Sequence, residues 1–389
     1  MIREQINRFK DRRSFKEIIS PRTRLNTIAR YEFAESPVYN SRLIISKQNI
    51  GLLSLCKKSG SWVSIKFFKN KISIWISKNL CYFKKIEPSL IRTRNFGVGV
   101  ITSAEIIKLD NVCVSSEPTR SSLNIYDHKI NKCETFEIED AFYLCVNGAD
   151  QFQHFIQDFL PILTFVHDFL ADNAKIPLII KKPLSNFQSH ERLFEILEID
   201  NLKLIIDYSD IKVKNLYILN FEPFNAIYCL PKELYSLMFK LINQRKKYIE
   251  AATKNLVVFI REENTRNFSN QNFLIQEFSI RAKLLNLNPV FLNPSKNDLD
   301  STISVLSNAK YVFGMHGGAI YNMIFAAPNS TLIEFITTEA TDSLCHMIRS
   351  FGINYMPYAI RSGKNSHEIE VTKKDLDNVF ESLFMLEHK

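Results

Sequence analysis

The chain has 389 residues, of which 46% are hydrophobic and 23% charged, and its formal net charge is +9. This composition is typical of a globular protein of two or three domains and excludes wholesale disorder, collagen and coiled coil. The apolar runs fall short of the roughly 18 residues of a membrane span, and the basic start lacks the apolar segment of a secretory signal. The seven cysteines form no C-x-x-C pair, which disfavours a disulfide framework or zinc site and favours a cytoplasmic location.

Positive charge is concentrated at the N-terminus, where residues 1–30 hold nine basic and three acidic side chains. Ile2, Ile6 and Phe9 recur at near-helical spacing. The pattern fits either a basic amphipathic helix on an anionic membrane surface or a solvated terminus. Little net charge remains elsewhere and no nucleic-acid-binding motif is present, so we expect no nucleic-acid partner.

The first two thirds of the chain divide into two predicted regions. Residues 1–95 are a basic segment and a β-rich extension, with short strands at 41–46, 61–68 and 71–77. Residues 96–245 predict an α/β acceptor domain. Its helical region at 151–173 contains Pro161, which predicts a kink or break. Its other predicted elements are strands at 134–148, 175–182, 201–207 and 213–220 and helices at 189–199 and 231–254.

Strands and helices then alternate regularly in residues 246–389. The predicted strands are 255–262, 288–294, 311–317, 330–337 and 353–360, and each precedes a predicted helix. Such alternation is typical of parallel βαβ units, so we expect a Rossmann-like, doubly wound domain. Two α/β domains of this kind would face a cleft, with ligands at the carboxyl ends of the strands.

A glycine-rich turn follows the predicted strand 311–317. Gly314, Gly317 and Gly318 surround His316, and small residues allow a ligand to approach the backbone closely. The next segment is predicted to be a helix, whose first amides and positive dipole favour phosphate. The alternative is a tight turn around a structural histidine.

Glu334 lies at the end of the following predicted strand. A carboxylate in that position suits the hydroxyl groups of a nucleotide ribose. A solvent-facing side chain is the alternative.

Two arginines follow the predicted strand 255–262. Arg261 ends this strand, Arg266 lies in the loop, and Asn270 precedes the next helix. Guanidinium groups bind phosphate in bidentate fashion, so the loop predicts a diphosphate site. Solvated loop charges are the alternative, and Asn270 or Ser269 is in position to cap the helix.

A third segment carries candidates for proton transfer. His154 and Asp158 are four residues apart and share one face of the predicted helix. Either side chain could act as a general base in a cleft, and a structural role is the alternative.

The three segments, in their order along the chain, resemble the family 61 glycosyltransferases. The matching stretches are HFIQDFLP, FIREENTRNFSN and GMHGGAIYNMIFAAPNSTLIE, the last from Gly314 to Glu334. The resemblance covers roughly residues 135–340. It implies a GT-B-like architecture, a nucleoside diphosphate sugar as donor and inversion at the anomeric carbon. A metal is rarely needed in this fold, because a helix dipole and arginines neutralise the leaving diphosphate.

The resemblance also implies roles for individual residues. Asp158 or His154, with neither preferred, would be the catalytic base, and His316 would donate to a phosphate or sugar oxygen. Asn322 would bind the donor or only brace the histidine turn. The full donor-binding set is Arg261, Arg266, Asn270, Gly314, Gly317, Gly318, Asn322 and Glu334.

The expected substrates follow from this assignment. The protein would be a hexosyl- or pentosyltransferase that uses a sugar nucleotide, expected to be UDP-linked, and needs no cofactor or metal. A glycan or lipid-linked glycan would be the acceptor, as in bacterial capsule or other surface polysaccharide synthesis on the inner face of the cytoplasmic membrane. Two alternatives remain open: a non-catalytic sugar-nucleotide-binding or scaffold subunit, and a GT-B-like sugar nucleotide epimerase.

Overall fold

The fold is taken from a computed structural model. It describes residues 26–32, 41–42, 44, 46–49, 103–114, 125–126, 137–144, 151–172, 175–180, 188–199, 204–205, 211–219, 236–249, 254–261, 266–337, 343–360 and 368–387. The basic residues 1–25 and the strands predicted at 61–68 and 71–77 lie outside these ranges. Within them, the chain is mixed α/β with two main sheets.

The first sheet is partly antiparallel. Its strands are β1 (Asn26–Glu32), β2 (Ser103–Val114), β3 (Ile125–Tyr126), β4 (Glu137–Leu144), β5 (Leu178–Ile180), β6 (Leu204–Ile205) and β7 (Ile211–Leu219). Their order is β1-β2-β7-β4-β5-β6, with β3 beside β2. Strands β7, β4, β5 and β6 run parallel, as expected of a Rossmann-like sheet, whereas β2 pairs antiparallel with β1, β3 and β7. The sequence patterns did not predict β1 and β2.

The helical region in which a kink or break was predicted at Pro161 is not broken there. Helix α1 (Phe152–His154) continues through a π-helical turn (Phe155–Phe159) into α2 (Leu160–Asp172). The amide of Leu160 donates to the carbonyl of Phe155, five residues earlier. This wider turn ends two residues before Pro161. The backbone nitrogen of proline carries no hydrogen to donate, and its ring would crowd a regular turn. Helices α3 (Gln188–Leu197) and α4 (Ser236–Asn243) complete this part.

The second sheet is entirely parallel, which confirms the predicted alternation. Its strands are β8 (Asn255–Phe259), β10 (Asn288–Leu292), β11 (Ala309–Met315), β12 (Thr331–Ile336) and β13 (Asn354–Ala359), in the order β10-β8-β11-β12-β13. Helices α5 (Gln271–Leu284), α6 (Leu299–Ser307), α7 (Ser343–Ser350) and α8 (Lys373–Glu387) accompany them. Strands β9 (Asn267–Phe268) and β14 (Glu368–Ile369) form a separate parallel pair.

The helix predicted after the glycine turn is a 3-10 helix (Gly318–Phe325). All its residues from Ile320 to Phe325 are buried. An amphipathic α-helix would leave one face in solvent. This short element is instead packed within the core.

Two buried clusters lie on opposite faces of the second sheet. One contains Phe142 and Phe155 from the first half of the chain together with Ile320 and Tyr321 from the 3-10 helix. The other packs beneath α5 and α8 and includes Phe278, Phe313, Phe335, Tyr358 and Leu376. The first cluster therefore joins the two sheets into one continuous apolar interior.

The described residues of the predicted strand at 41–46 lie along the edge of the second sheet. The Tyr355 amide donates to the Arg42 carbonyl at 3.0 Å, and the Ile44 amide donates to the Tyr355 carbonyl at 2.8 Å. This alternation is the pattern of a parallel ladder. The Asn49 side chain then exchanges two hydrogen bonds with the backbone of Ala359. Among the described helices, none has the length and apolar character to cross a bilayer.

Candidate functional site

The candidate site lies where the strand order of the second sheet reverses. Numbered by position in the chain, its strands follow the order 2-1-3-4-5, so the reversal falls between β8 and β11. Arg261 comes two residues after β8, and His316 comes directly after β11. Loops that leave adjacent strands on opposite sides open a crevice at this point, and ligands of open α/β sheets bind there.

Gly317 and Arg266 fit together closely at this edge. Gly317 has a φ of 154°, and a Cβ atom added there would lie 2.8 Å from Cδ and 3.1 Å from Nη1 of Arg266. Arg266 itself has a φ of 60°, a left-handed conformation that is uncommon outside glycine and asparagine. Such strain is found preferentially at ligand sites. The absence of a side chain at position 317 therefore lets the arginine lie directly on the turn.

The two arginines form a cationic pair. Burial lowers the pKa of Arg266, the nearby Arg261 charge lowers it further, and Tyr321 and Glu334 oppose this effect. Within the described part of the chain, no carboxylate lies within ion-pair distance of the Arg266 guanidinium. A half-buried charge held beside a like charge is stabilised by an anion. The structure thus brings together the two arginines that the sequence predicted at a diphosphate site.

His316 is held by a buried carboxylate. Its Nδ1 atom lies 2.5 Å from Oε1 of Glu334, and its backbone amide donates to the Phe335 carbonyl at 3.0 Å. Glu334 is fully buried, while 16% of the His316 side chain is exposed. With Glu334 ionised and accepting, Nδ1 carries a proton and Nε2 is the ring nitrogen left for a ligand.

The predicted contact of Glu334 with a ribose is wrong for this conformation. Its second oxygen accepts from the hydroxyl of Tyr355 at 2.5 Å, and no part of the side chain reaches solvent. Glu334 is also the fourth of six residues in β12 rather than its last. Both carboxylate oxygens are committed within the protein, so this residue orients His316.

Three other predicted donor contacts have structural partners. Gly314 is buried inside β11, and an added Cβ would lie 2.6 Å from Cγ2 of Ile320, so its small size serves packing. Asn322 is buried and donates to the Ala319 carbonyl, bracing the turn. Asn270 stands at the N-cap of α5 without a capping bond; its amide group instead exchanges two hydrogen bonds with the backbone of Val371. These three residues therefore shape the site through contacts within the protein.

Gly318 is placed differently from its neighbour. A Cβ added there would meet only Cβ of Gln153, at 3.8 Å. This is an ordinary contact, and it shows that the N-terminal end of α1 lies against the glycine turn. Gly318 begins the 3-10 helix, so its amide has no partner within that helix.

The α1 helix is fixed to the site by Tyr321. The Tyr321 hydroxyl donates to Gln157 Oε1 at 2.8 Å and accepts from Gln153 Nε2 at 3.2 Å. His154 follows Gln153 directly and is partly exposed, and Asp158 lies in the π-helical turn of the same helix. The structure therefore brings the helix that carries both base candidates against the glycine turn.

Two contributions to the geometry of the site escaped the sequence patterns. Tyr321 and the two glutamines lie inside recognised segments but have no charge or spacing that marks them. Tyr355 lies in a strand of ordinary apolar character. Only a search for buried hydroxyl groups beside Glu334 would find it, and that requires the fold. Among the described residues, no group of three or more His, Cys, Asp or Glu side chains is arranged to hold a metal ion.

Comparison with known proteins gives one family. None of the curated proteins compared matches the chain. The match that was found contains the cationic pair, the glycine turn and both base candidates, and it ends one residue before Glu334. Residues 152–333 match the model of the family Glycosyltransferase 61, which supports a family 61 glycosyltransferase.

Proposed function

We propose that the protein is an inverting glycosyltransferase that moves a sugar from a nucleoside diphosphate to a glycan acceptor. The observation that carries this proposal is Arg266 laid against Gly317 at the strand reversal, with the Arg261 charge nearby and a carboxylate-bound His316 beside it. Glycosyl transfer from such a donor leaves a diphosphate, on which negative charge develops in the transition state. A preformed cationic cradle stabilises that charge at the moment it appears.

The arginines and the turn share the diphosphate in this proposal. Arg261 and Arg266 supply positive charge and pairs of N–H donors. The backbone amides of Gly317 and Gly318 supply uncharged N–H donors. His316 presents Nε2 to a phosphate or sugar oxygen, because Nδ1 is held by Glu334. Because its negative charge is dispersed over several donors, the leaving diphosphate needs less stabilisation by solvent.

Inversion needs a base on the face of the sugar opposite the diphosphate. His154 and Asp158 are the candidates, since their helix lies against the glycine turn through Gln153. The base takes the proton of the acceptor hydroxyl while the hydroxyl oxygen attacks the anomeric carbon and the bond from that carbon to the diphosphate oxygen breaks. We propose that the two α/β halves form a GT-B-like pair, with the acceptor entering from the half that holds α1.

The acceptor class and location form a broader part of the proposal. We propose a UDP-linked donor and a lipid-linked glycan of the bacterial surface, assembled on the inner face of the cytoplasmic membrane. The nine basic groups in residues 1–30 support this, since a basic segment is attracted to anionic lipid. Deleting residues 1–20 should abolish binding to liposomes that contain anionic lipid, and unchanged binding would count against this part.

The cradle is tested by replacing Arg266 with Gln. We expect the affinity for a nucleoside diphosphate sugar to fall by about 10- to 100-fold, because a charge-assisted bidentate contact contributes about 1.5–3 kcal/mol. Donor affinity is measured by titration calorimetry over a panel of sugar nucleotides. Transfer is followed by NMR of the product, which reports the anomeric configuration.

Arg192→Gln is the matched control. Arg192 is a partly exposed arginine paired with Glu195 and Asp300, and solvent-accessible pairs of this kind contribute little. Equal donor affinity in the two variants would remove the cradle from the proposal. Binding without turnover to any acceptor would indicate the scaffold alternative, and an isomerised sugar released without an acceptor would indicate the epimerase.

A further inference from the structure

Three neighbouring side chains form a buried chain of hydrogen bonds behind the proposed site. Tyr355 on β13 donates to Oε2 of Glu334 on β12, and Oε1 of Glu334 lies 2.5 Å from Nδ1 of His316 after β11. Tyr355 and Glu334 are both fully buried. The chain of contacts therefore runs across three adjacent parallel strands, from the interior to the partly exposed imidazole.

The Tyr355 hydroxyl decides how the carboxylate is held. A carboxylate can rotate about its last bond, and a donor on only one oxygen leaves that rotation weakly restrained. The Tyr355 bond fixes Oε2, so Oε1 stays aimed at His316. If the hydroxyl were removed, a buried oxygen of Glu334 would lose its donor, which is costly where water cannot replace it.

The backbone of Tyr355 is itself clamped. Its amide and carbonyl are bonded to Arg42 and Ile44, in the segment that extends the edge of the sheet. Asn49 repeats the arrangement four residues further along β13, at Ala359. A residue at the free edge of a sheet would lack these bonds. The segment thus fixes the strand from which the hydroxyl is presented.

We propose that Tyr355 is a positioning residue for His316, acting through Glu334, and that Arg42, Ile44 and Asn49 belong to the same functional unit. The proposal rests on the proposed function in one respect, namely that His316 contacts the donor. Both Tyr355 and the edge segment lie outside residues 152–333, the part that matches the family model. The working site therefore extends beyond the matched region at both ends of the chain.

Tyr355→Phe tests the proposal, and Tyr358→Phe is its matched control. Both tyrosines are buried on β13, but the Tyr358 hydroxyl faces the other side of the sheet, where it contacts Asp375 and Asn378. Both variants keep the ring and lose one hydroxyl. We expect Tyr355→Phe to lower kcat about tenfold with donor KM within twofold, because a lost bond to a charged group is worth at least that factor. Tyr358→Phe should keep kcat within about twofold.

A spectroscopic measurement separates positioning from general destabilisation. In protein labelled with ¹⁵N at its eight histidines, His316 is assigned by the resonance lost in His316→Gln. We expect a proton on Nδ1, the ring nitrogen that faces Glu334. Tyr355→Phe should shift the Nδ1 resonance, and Tyr358→Phe should leave it in place. Glu334→Gln should remove the proton from Nδ1, since the amide group donates to this nitrogen.

The outcomes distinguish this inference from the function on which it rests. His316 resonances that do not move in Tyr355→Phe, or equal kcat in the two tyrosine variants, would overturn the positioning role. If the unmodified protein turns over no sugar nucleotide, the proposed function fails, while the resonances still decide whether Tyr355 orients His316. Unfolding midpoints of both variants are recorded, so that a loss of folded protein is not mistaken for a loss of positioning.

Discussion

The two faces of the second sheet differ sharply, although the same strands build both. On one face, which we term the relay face, β12 and β13 present Glu334 and Tyr355 toward His316. On the other, termed the aromatic face, the same strands present Phe335 and Tyr358 to α5 and α8. Neighbouring side chains of a strand point to opposite faces, so a shift of one residue would exchange the two. The comparison teaches that stability and chemistry can be assigned to alternate residues of one strand.

The aromatic face is built from stacked and edge-on rings. Phe335 lies between Phe313 and Tyr358, with ring centroids 6.4 and 6.0 Å away. The ring centroids of Phe278, from α5, and Phe313 are 4.6 Å apart. Aromatic pairs at these distances add to the free energy of burial. This face therefore holds the sheet rigid while the relay face carries buried polar groups, which are costly unless satisfied.

The largest expected effect is on the aromatic face. Phe335→Ala should lower the free energy of unfolding by about 3–5 kcal/mol, because it leaves a cavity among fully buried rings. Chemical denaturation measures this loss, and Phe335→Leu should cost clearly less. The remaining folded protein should keep its affinity for the donor. A folded variant that no longer binds donor would break the separation of the two faces.

An intermediate effect is expected at the carboxyl edge of the sheet. Gly317→Ala should reduce donor affinity about 100-fold, equivalent to about 2.7 kcal/mol, because the new methyl group displaces the Arg266 side chain and strains a backbone with φ of 154°. Gly318→Ala meets only an ordinary contact and should change affinity by less than about threefold. Calorimetric titration with a sugar nucleotide compares the two. Similar losses in both variants would show that Arg266 does not depend on the glycine.

The smallest expected effect is a pH dependence of stability that comes from Tyr358 on the aromatic face. Burial raises the pKa of Tyr358 to about 12, above its ordinary value of 10.0. The unfolded chain therefore loses this proton first, so the stability gained from the neutral hydroxyl is present below pH 10 and is lost between about pH 10 and 12. Comparing the free energy of unfolding of the unmodified protein with that of Tyr358→Phe across this pH range should show a change of roughly 1–2 kcal/mol in their difference. A difference that does not change with pH would contradict the assignment.

Sequence alone determined the parallel part of the fold and the polar residues at its carboxyl edge. The alternation of apolar strands and helices is a short-range pattern, and it placed Arg261, Arg266 and His316 after strands. Asn270 and Glu334 illustrate the limit. Their residue types fit a donor site, but in the fold they are hydrogen-bonded to Val371 and Tyr355 instead.

Only the tertiary structure decided which strands are neighbours. The pairing of β11 with β8 created the strand reversal, and the pairing of β12 with β13 brought Tyr355 to Glu334. The edge segment at 42–49 joined residues about 310 positions away. Local periodicity cannot encode such contacts, because it fixes which face a side chain takes but not which element will cover that face. For that reason the cationic pair could be predicted from the sequence, and the buried chain of hydrogen bonds behind the histidine could not.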